Sequence, residues 1–298
     1  MHRVFVTGAT GFVGRAVIQA LRAEGHVVRC LVRRGSETDL HGFEAIERVE
    51  GDILGPAEIL EGGIGGCDTV VHLVGIIREH KSRGITFQKL HDLGTRNVLA
   101  AATAAGARRF LHMSALGTRA AARSRYHQTK WAAEEAVRAS GLAWTIFRPS
   151  VIYGPGDAFI SLFARMVRRL PVVPVIGDGR QRLQPVPIEH VAAGFARAVS
   201  VETSVKQTYA VTGPDAVSMI ELLTMIGAIL HRRVRVARIP LGLVRPMARV
   251  LHRLPSFPVT PDQLLMLEED NTADAAAFYS AFGIKPLPLA QGLRQVLG

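Results

Sequence analysis

Val4-Phe5-Val6-Thr7-Gly8-Ala9-Thr10-Gly11-Phe12-Val13-Gly14 opens the chain and decides how everything after it is read. The apolar run over Arg3–Thr7 predicts a buried parallel strand. Three glycines at three-residue spacing then lead into an amphipathic helix from Phe12 to about Glu24. Gly8 permits a tight turn, Gly11 lets backbone approach a pyrophosphate, and Gly14 lets the helix pack on the strand. With Thr10, Phe12 and Val13 they form a turn whose N–H groups and positive dipole end face phosphates. A glycine-rich αβ turn without a ligand is the alternative. The strand-turn-helix context favours a bound dinucleotide.

Outward from this turn, strand and helix patterns alternate, which argues for βαβ units and a doubly wound α/β fold with a parallel sheet. Further strands are expected at Val27–Val32, Glu47–Glu50, Asp68–Leu73, Arg109–Met113, Ala143–Phe147 and Gln207–Val211. Helices are expected at Phe87–Ala105, stopped by Gly106, and at Tyr126–Ser140, stopped by Gly141. After Arg148-Pro149 the texture shifts to short apolar runs broken by Gly and Pro, then to a helix-rich tail from Ser218. The reading is therefore a nucleotide-binding domain over 1–150, completed by about 183–212. A small helix-rich lobe over 151–182 and 213–298 would cover the crevice and shape a substrate pocket.

A chain of 298 residues with 48% hydrophobic content can bury a large core. No apolar run is long enough to span a bilayer, and the first strand starts so close to Met1 that no signal peptide is expected. Cys30 and Cys67 fit no metal motif, which points to a reduced, cytoplasmic setting. The eleven histidines lack ligand spacing, so no metal is expected. The net charge of +11 would suit nucleic acid, but no recognition motif or interleaved aromatics accompany it, and none is expected to bind. The charge is concentrated in one place. Between Glu221 and Asp262 no acidic residue occurs, while Arg232, Arg233, Arg235, Arg238, Arg245, Arg249 and Arg253 do. Arg245, Arg249 and Arg253 make one helical stripe, with Val244, Met247, Ala248, Leu251 and Leu254 as an apolar face beside it. Residues 232–254 suit an anionic membrane surface or an acidic protein partner, with the protein peripheral at the inner face of the membrane. An ordinary solvated arginine face is the alternative.

At the end of the second strand, where an acidic residue would bind the ribose of NAD(H), the chain carries Arg33 and Arg34. Two guanidinium groups there suit a 2′-phosphate, so NADP(H) is favoured over NAD(H), unless one or both are plain surface residues. Glu37 and Asp39 come too late for the NAD role. Asp52, followed by Ile53, is placed either to meet the adenine amino group or to cap a helix ahead of Pro56.

The fifth strand ends in Met113-Ser114-Ala115, and the following helix carries Tyr126 and Lys130 four residues apart on one face. A nearby ammonium, with the charge of an oxidised nicotinamide, would favour the Tyr126 phenolate. Tyr126 would then exchange a proton with a substrate hydroxyl or carbonyl, Ser114 would orient that oxygen, and Lys130 would also reach the nicotinamide ribose. A half-exposed helix face is the alternative.

These residues resemble the extended or atypical short-chain dehydrogenases/reductases. The resemblance is carried by the opening glycine turn, Gly51-Asp52-Ile53 and Val71-His72-Leu73-Val74-Gly75. It continues in Gly94-Thr95-Arg96-Asn97-Val98-Leu99, Tyr126 with Lys130, and Arg148-Pro149-Ser150-Val151-Ile152-Tyr153-Gly154-Pro155. Gln184 to Ala192, Thr260 to Leu264 and Glu269-Asp270-Asn271 extend it over nearly the whole chain. The pattern is most similar to the branch holding the nucleotide-binding accessory subunit of respiratory complex I and bacterial NAD-dependent epimerase/dehydratase-like relatives. The resemblance implies a Rossmann domain, a tightly held NADP(H) and a small C-terminal lobe. It adds Leu73, Val74, Gly75, Pro149 and Val151 to the cofactor site, and Ile76, Tyr153 and Phe159 to Ser114 in the pocket of an unknown small-molecule substrate. Gly117–Arg125 is shorter than in sugar-nucleotide epimerases of this branch, which weakens a sugar-nucleotide substrate. Two functions stand side by side: an NADP(H)-dependent oxidoreductase or epimerase/dehydratase, and a non-catalytic NADP(H)-binding accessory protein of a respiratory or quinone-related assembly.

Overall fold

The computed structural model describes residues 1–36, 40, 42–43, 45–251 and 259–298. Glu37, Asp39, Arg253 and Leu254 lie outside the described residues, as do the side chains of Arg249 and Leu251. In chain order the elements are β1 (Arg3–Thr7), α1 (Phe12–Ala23), β2 (Val27–Val32), β3 (Glu47–Glu50), α2 (Ala57–Ile64), β4 (Thr69–His72), α3 (Gly94–Ala104) and β5 (Arg109–Met113). Then come α4 (Arg125–Ala139), β6 (Ala143–Pro149), β7 (Ile152–Tyr153), α5 (Phe159–Arg169), β8 (Val173–Ile176), β9 (Arg182–Leu183), β10 (Val186–Pro187) and α6 (Ile188–Ala198). The chain ends with β11 (Gln207–Val211), β12 (Val217–Ser218), α7 (Met219–Ile229), β13 (Val236–Ile239), α8 (Leu241–Leu251), α9 (Pro261–Met266), α10 (Ala276–Phe282) and α11 (Leu289–Leu297). The crossover expected as one helix over Phe87–Ala105 runs without a break, and it opens on a π-helical turn, Gln88–Leu93, that continues into α3.

Two compact units divide the chain: Met1–Pro149 with Ile188–Val211 and Ala276–Ile284, and Ser150–Pro187 with Thr212–Ala275 and Lys285–Gly298. The first holds a seven-stranded sheet in the order β11-β6-β5-β4-β1-β2-β3, every neighbouring pair parallel. The inner strands β1, β4 and β5 are buried on both faces, as parallel sheets covered by crossover helices require, while β3 at the edge is half-exposed. On one face Phe5, Leu60, Val70, Val98, Phe110 and Val137 form a continuous core under α2, α3 and α4. α1 packs against α6, and α10 joins them. The strand order reverses at β1, between β2 and β4. Open sheets leave their ligand crevice beyond the carboxyl ends at such a point.

Placing α10 in the first unit corrects the expected boundary, which gives all of 213–298 to the small lobe. Phe282 lies 5.6 Å from Phe147 and 5.1 Å from Tyr209, and Phe278 lies 6.2 Å from Phe147. Aromatic spacing in the tail signals burial but not the surface that receives it. Residues 183–187 fall to the second unit, where β10 pairs with β7 and β9 with β12.

In the second unit Ile160, Leu222, Leu223, Ile226, Leu289 and Leu293 form the main core. A smaller cluster buries Val244 and Ala248 of α8 against Leu264 of α9. The apolar face expected on α8 is thus partly internal. Met247, counted with it, is 50% exposed.

The helix that carries Tyr126 and Lys130 is tied to the sheet by one carboxylate. Glu134 is fully buried and accepts from Arg148 Nε at 2.8 Å, Arg148 Nη2 at 2.6 Å and Arg138 Nη2 at 2.6 Å. Removing one partner of such a buried set strands the others. Glu134→Ala should lower the unfolding free energy by about 3 kcal/mol or more, measured by urea denaturation. A change within about 0.5 kcal/mol would show that the set is dispensable.

Candidate active site

The phosphate end is backbone-built. Gly8 has φ +75°, and a Cβ there would stand 3.0 Å from the Leu73 carbonyl carbon. A Cβ on Gly14 would overlap the carbonyl oxygens of Gly8 and Ala9, so helix and turn approach as only glycine allows. Gly11 N–H bonds Gly8 O at 3.1 Å, and no side chain caps α1. The N–H groups of Phe12 and Val13 therefore open the helix without an internal acceptor, and no acidic residue occupies the first turn. Such an end fits a pyrophosphate.

Beyond the ends of β2 and β3 lies an open cleft of about 600 Å³ lined by Arg33, Arg34, Ser36, Glu50, Gly51, Asp52 and Ile59. Arg34 Nε sits 3.3 Å from Glu50 Oε1, both side chains largely exposed. Asp52 lines the same cleft while its Oδ1 accepts the Leu54 N–H at 2.9 Å, so it also shapes the turn ahead of α2. Ile53 is buried, and its carbonyl accepts from Asn97 Nδ2 at 2.9 Å. Its side chain fills the space left by Gly94.

Leu73, Val74 and Gly75 leave the end of β4. A Cβ on Gly75 would stand 3.1 Å from Lys130 Nζ and 3.7 Å from His91 Nε2. Lys130 is buried, and its ammonium donates to Met113 O at 2.9 Å. Burial pulls it down to about 8, against the pull of Glu134, which favours the charge. Ser114, next to Met113, is buried too, and its hydroxyl donates to Thr118 Oγ1 at 3.3 Å.

Tyr126 differs from the sequence expectation. Its ring packs edge-on to Phe87, His91 and His127, and burial pushes the phenol up to about 12. In the protein alone burial sets the direction of the shift. A lowered phenol would need positive charge from a bound ligand.

His91 is absent from the residues that the sequence singles out. It is buried in the π-helical turn, its Nε2 accepting the Ile76 N–H at 3.1 Å and its Nδ1 facing Thr129 Oγ1 at 3.0 Å. The Ile76 bond fixes the tautomer with the proton on Nδ1. His72 bonds Thr7 Oγ1 at 2.7 Å and Thr95 Oγ1 at 3.0 Å and stacks on His112. The sequence signal for His91 is a histidine one turn ahead of Gly94-Thr95, and the register of a π turn is invisible to helical periodicity.

Pro149 ends β6, where its carbonyl accepts the Leu116 N–H at 2.9 Å. Val151, Tyr153 and Phe159 belong to the second unit. Tyr153 is expected from sequence to line the substrate pocket. The structure buries it in that unit's core, its ring filling the space that a side chain at Gly292 would occupy. Phe159 is half-buried and packs edge-on to Phe163. Of the expected pocket, Ile76 and Ser114 are the members that the first unit places near its sheet ends.

A profile of the NAD dependent epimerase/dehydratase family matches residues 4–211. The chain belongs to that family. Family membership makes a nicotinamide dinucleotide the cofactor class, and the geometry of the glycine turn fits one. Among curated relatives, the ceramide reductase of Caulobacter vibrioides is 37% identical over 190 residues, 64% of this chain and 58% of that one. The mitochondrial NADH dehydrogenase [ubiquinone] 1 alpha subcomplex subunit 9 of Arabidopsis thaliana is 27% identical over 301 residues, 95% of this chain and 73% of that one. The chain thus spans less than two thirds of the reductase. Of solved structures, gox2253 shares the fold with a TM-score of 0.79 at 23% identity, covering 100% of this chain and 97% of that one. No described helix is long and apolar enough to cross a membrane.

The buried histidines give the fold a pH signature. Burial pushes His72 down to about 3, His91 to about 2 and His112 well below 6.5, with the Lys130 charge as a further cause in each. Above about 6.5 both folded and unfolded chains hold the rings neutral. As pH falls below it the unfolded chain takes up protons that the folded chain refuses, so stability is lost by up to about 1.4 kcal/mol per pH unit per ring. Neither ring nitrogen of His112 has a partner among the described residues. His112→Phe should therefore remove one ring's share of the acid slope, measured by urea denaturation from about pH 7 to about pH 5. An unchanged slope would mean His112 titrates normally.

Proposed function

We propose that this chain is an NADP(H)-preferring oxidoreductase of the epimerase/dehydratase type, with Tyr126 as proton carrier, acting on an apolar small molecule that bears a carbonyl or hydroxyl. The observation that carries the reading is the C-terminal edge of one sheet. The glycine turn after β1, the arginine cleft after β2 and β3, and Ser114 with the Tyr126–Lys130 helix after β5 all open from it. Thr10, Gly11, Phe12 and Val13 would hold the pyrophosphate. Arg33 and Arg34 would hold the 2′-phosphate, Arg34 exchanging its exposed bond to Glu50 for it. Leu73, Val74, Gly75 and Pro149 would border the nicotinamide half. The nicotinamide, when bound, supplies or accepts a hydride. Ser114 orients the substrate oxygen, Tyr126 gives or takes the proton at that oxygen, and Lys130 keeps positive charge near the phenol and the ribose. An apolar substrate is favoured by the likeness to a ceramide reductase and by the short Gly117–Arg125 segment.

A second reading is a nucleotide-holding accessory subunit without turnover. The phenol held at about 12 and the likeness to a respiratory NADH dehydrogenase subunit favour it. Titration calorimetry separates the nucleotide question from the catalytic one. Arg33→Ala and Arg34→Ala should each weaken NADPH roughly tenfold and leave NADH nearly unchanged. Equal losses for both nucleotides would remove the 2′-phosphate role. With apolar ketones and NADPH, Tyr126→Phe should cut turnover by about a hundredfold at unchanged NADPH affinity. Unchanged turnover in Tyr126→Phe would refute its proton role, and absence of turnover in the unaltered protein across such ketones would favour the accessory reading.

A further inference from the structure

The sequence pattern groups Val244, Met247 and Ala248 of α8 on one face, yet the structure splits them. Val244 is 6% exposed and Ala248 fully buried, both turned to Leu264. Leu243, Met247 and Val250 are 62%, 50% and 73% exposed. Spacings of four and three residues put these three side chains on one helix face, next to the buried one. Single exposed apolar residues are ordinary, but three large ones in a row on an 11-residue helix form a patch.

The described charge on α8 itself and on the segment leading to it has one sign, while the acidic residues near it, Asp262, Glu268, Glu269 and Asp270, come from α9 and the turn after it. Arg232, Arg233, Arg235 and Arg238, in the segment leading to α8, are exposed. Glu268 meets α8 from the α9 side, and Arg245 takes it up at 2.7 Å. The segment between Glu221 and Asp262 contributes no acidic residue of its own. One line of three side chains offers far less than the roughly 800 Å² per partner that a stable protein interface takes. A fluid bilayer interface needs no complementary shape. It accepts an apolar stripe a few ångströms deep with cations at the headgroups.

We propose that the Leu243–Met247–Val250 edge of α8 is a membrane-contact element that seats the protein on a bilayer with anionic headgroups, independently of what the nucleotide site does. The net charge of +11 would by itself draw the whole protein to anionic vesicles, so the test must change apolar groups alone. The full chain is floated with vesicles of phosphatidylcholine and of phosphatidylcholine mixed with phosphatidylglycerol, at low and moderate salt. The unaltered protein should float with the anionic vesicles, less so in salt. The triple variant Leu243→Ser, Met247→Ser, Val250→Ser keeps every charge and should partition roughly tenfold less or weaker still. Circular dichroism and NADPH affinity report whether that variant is folded. Met247→Trp, which alters one exposed position, should show blue-shifted emission and quenching by brominated lipid on anionic vesicles. Failure of the unaltered protein to float overturns the proposal. So does equal flotation of a folded triple variant, which means adsorption by charge alone. Self-association that the triple variant abolishes, without any lipid quenching of the indole introduced by Met247→Trp, would assign the edge to a second copy instead.

Discussion

The ammonium of Lys130 is buried beneath Gly75, and much of the first unit is arranged around that one charge. A buried cation is tolerable only with oxygen partners and a balancing anion. Met113 O supplies the first, and Glu134, one turn further along the same helix, supplies the second. Glu134 is in turn held by Arg148 from β6, so the charge that Lys130 needs also fastens the helix to the sheet. The same cation helps to explain why the nearby histidines stay neutral. His72, His91 and His112 are desolvated, and each would meet Lys130 as a like charge. A neutral His91 keeps Nε2 as an acceptor for the Ile76 N–H, which fixes the loop after β4 over the lysine.

This arrangement leaves the site chemically prepared but incomplete. The phenol of Tyr126 is pushed up by burial, and the ammonium that could draw it down is engaged with a backbone carbonyl. A dinucleotide on the glycine turn would add phosphate contacts at the α1 terminus and, in its oxidised form, positive charge near the phenol. Binding and activation would then be coupled without any rearrangement of the sheet.

Much of this is legible in the sequence because it depends on short-range rules. The glycine spacing reads as a turn because Gly8 has to adopt a positive φ and Gly14 has to admit carbonyl oxygens. The strand series reads as parallel because its inner runs are apolar on both faces and alternate with helical stretches. What stays hidden depends on register or on tertiary choice. The π turn that presents His91 leaves no periodic trace. Tyr153 sits in a stretch resembling a substrate-site motif, yet Gly292, far away in sequence, offers its ring a place in a core. The tail's Phe278 and Phe282 are plainly apolar, but nothing local says that Phe147 will receive them. On α8, periodicity marks an amphipathic helix and misjudges which apolar stripe the fold consumes.

A dinucleotide held at the sheet edge as proposed would set its 2′-phosphate against Arg33 and Arg34. Mass spectrometry of small molecules released by denaturing the freshly purified protein tests this placement most directly. NADP⁺ or NADPH in near-stoichiometric amount is the expected result. NAD⁺ or NADH alone would contradict the arginine assignment, and no dinucleotide, with none taken up on adding NADPH, would contradict the nucleotide site itself.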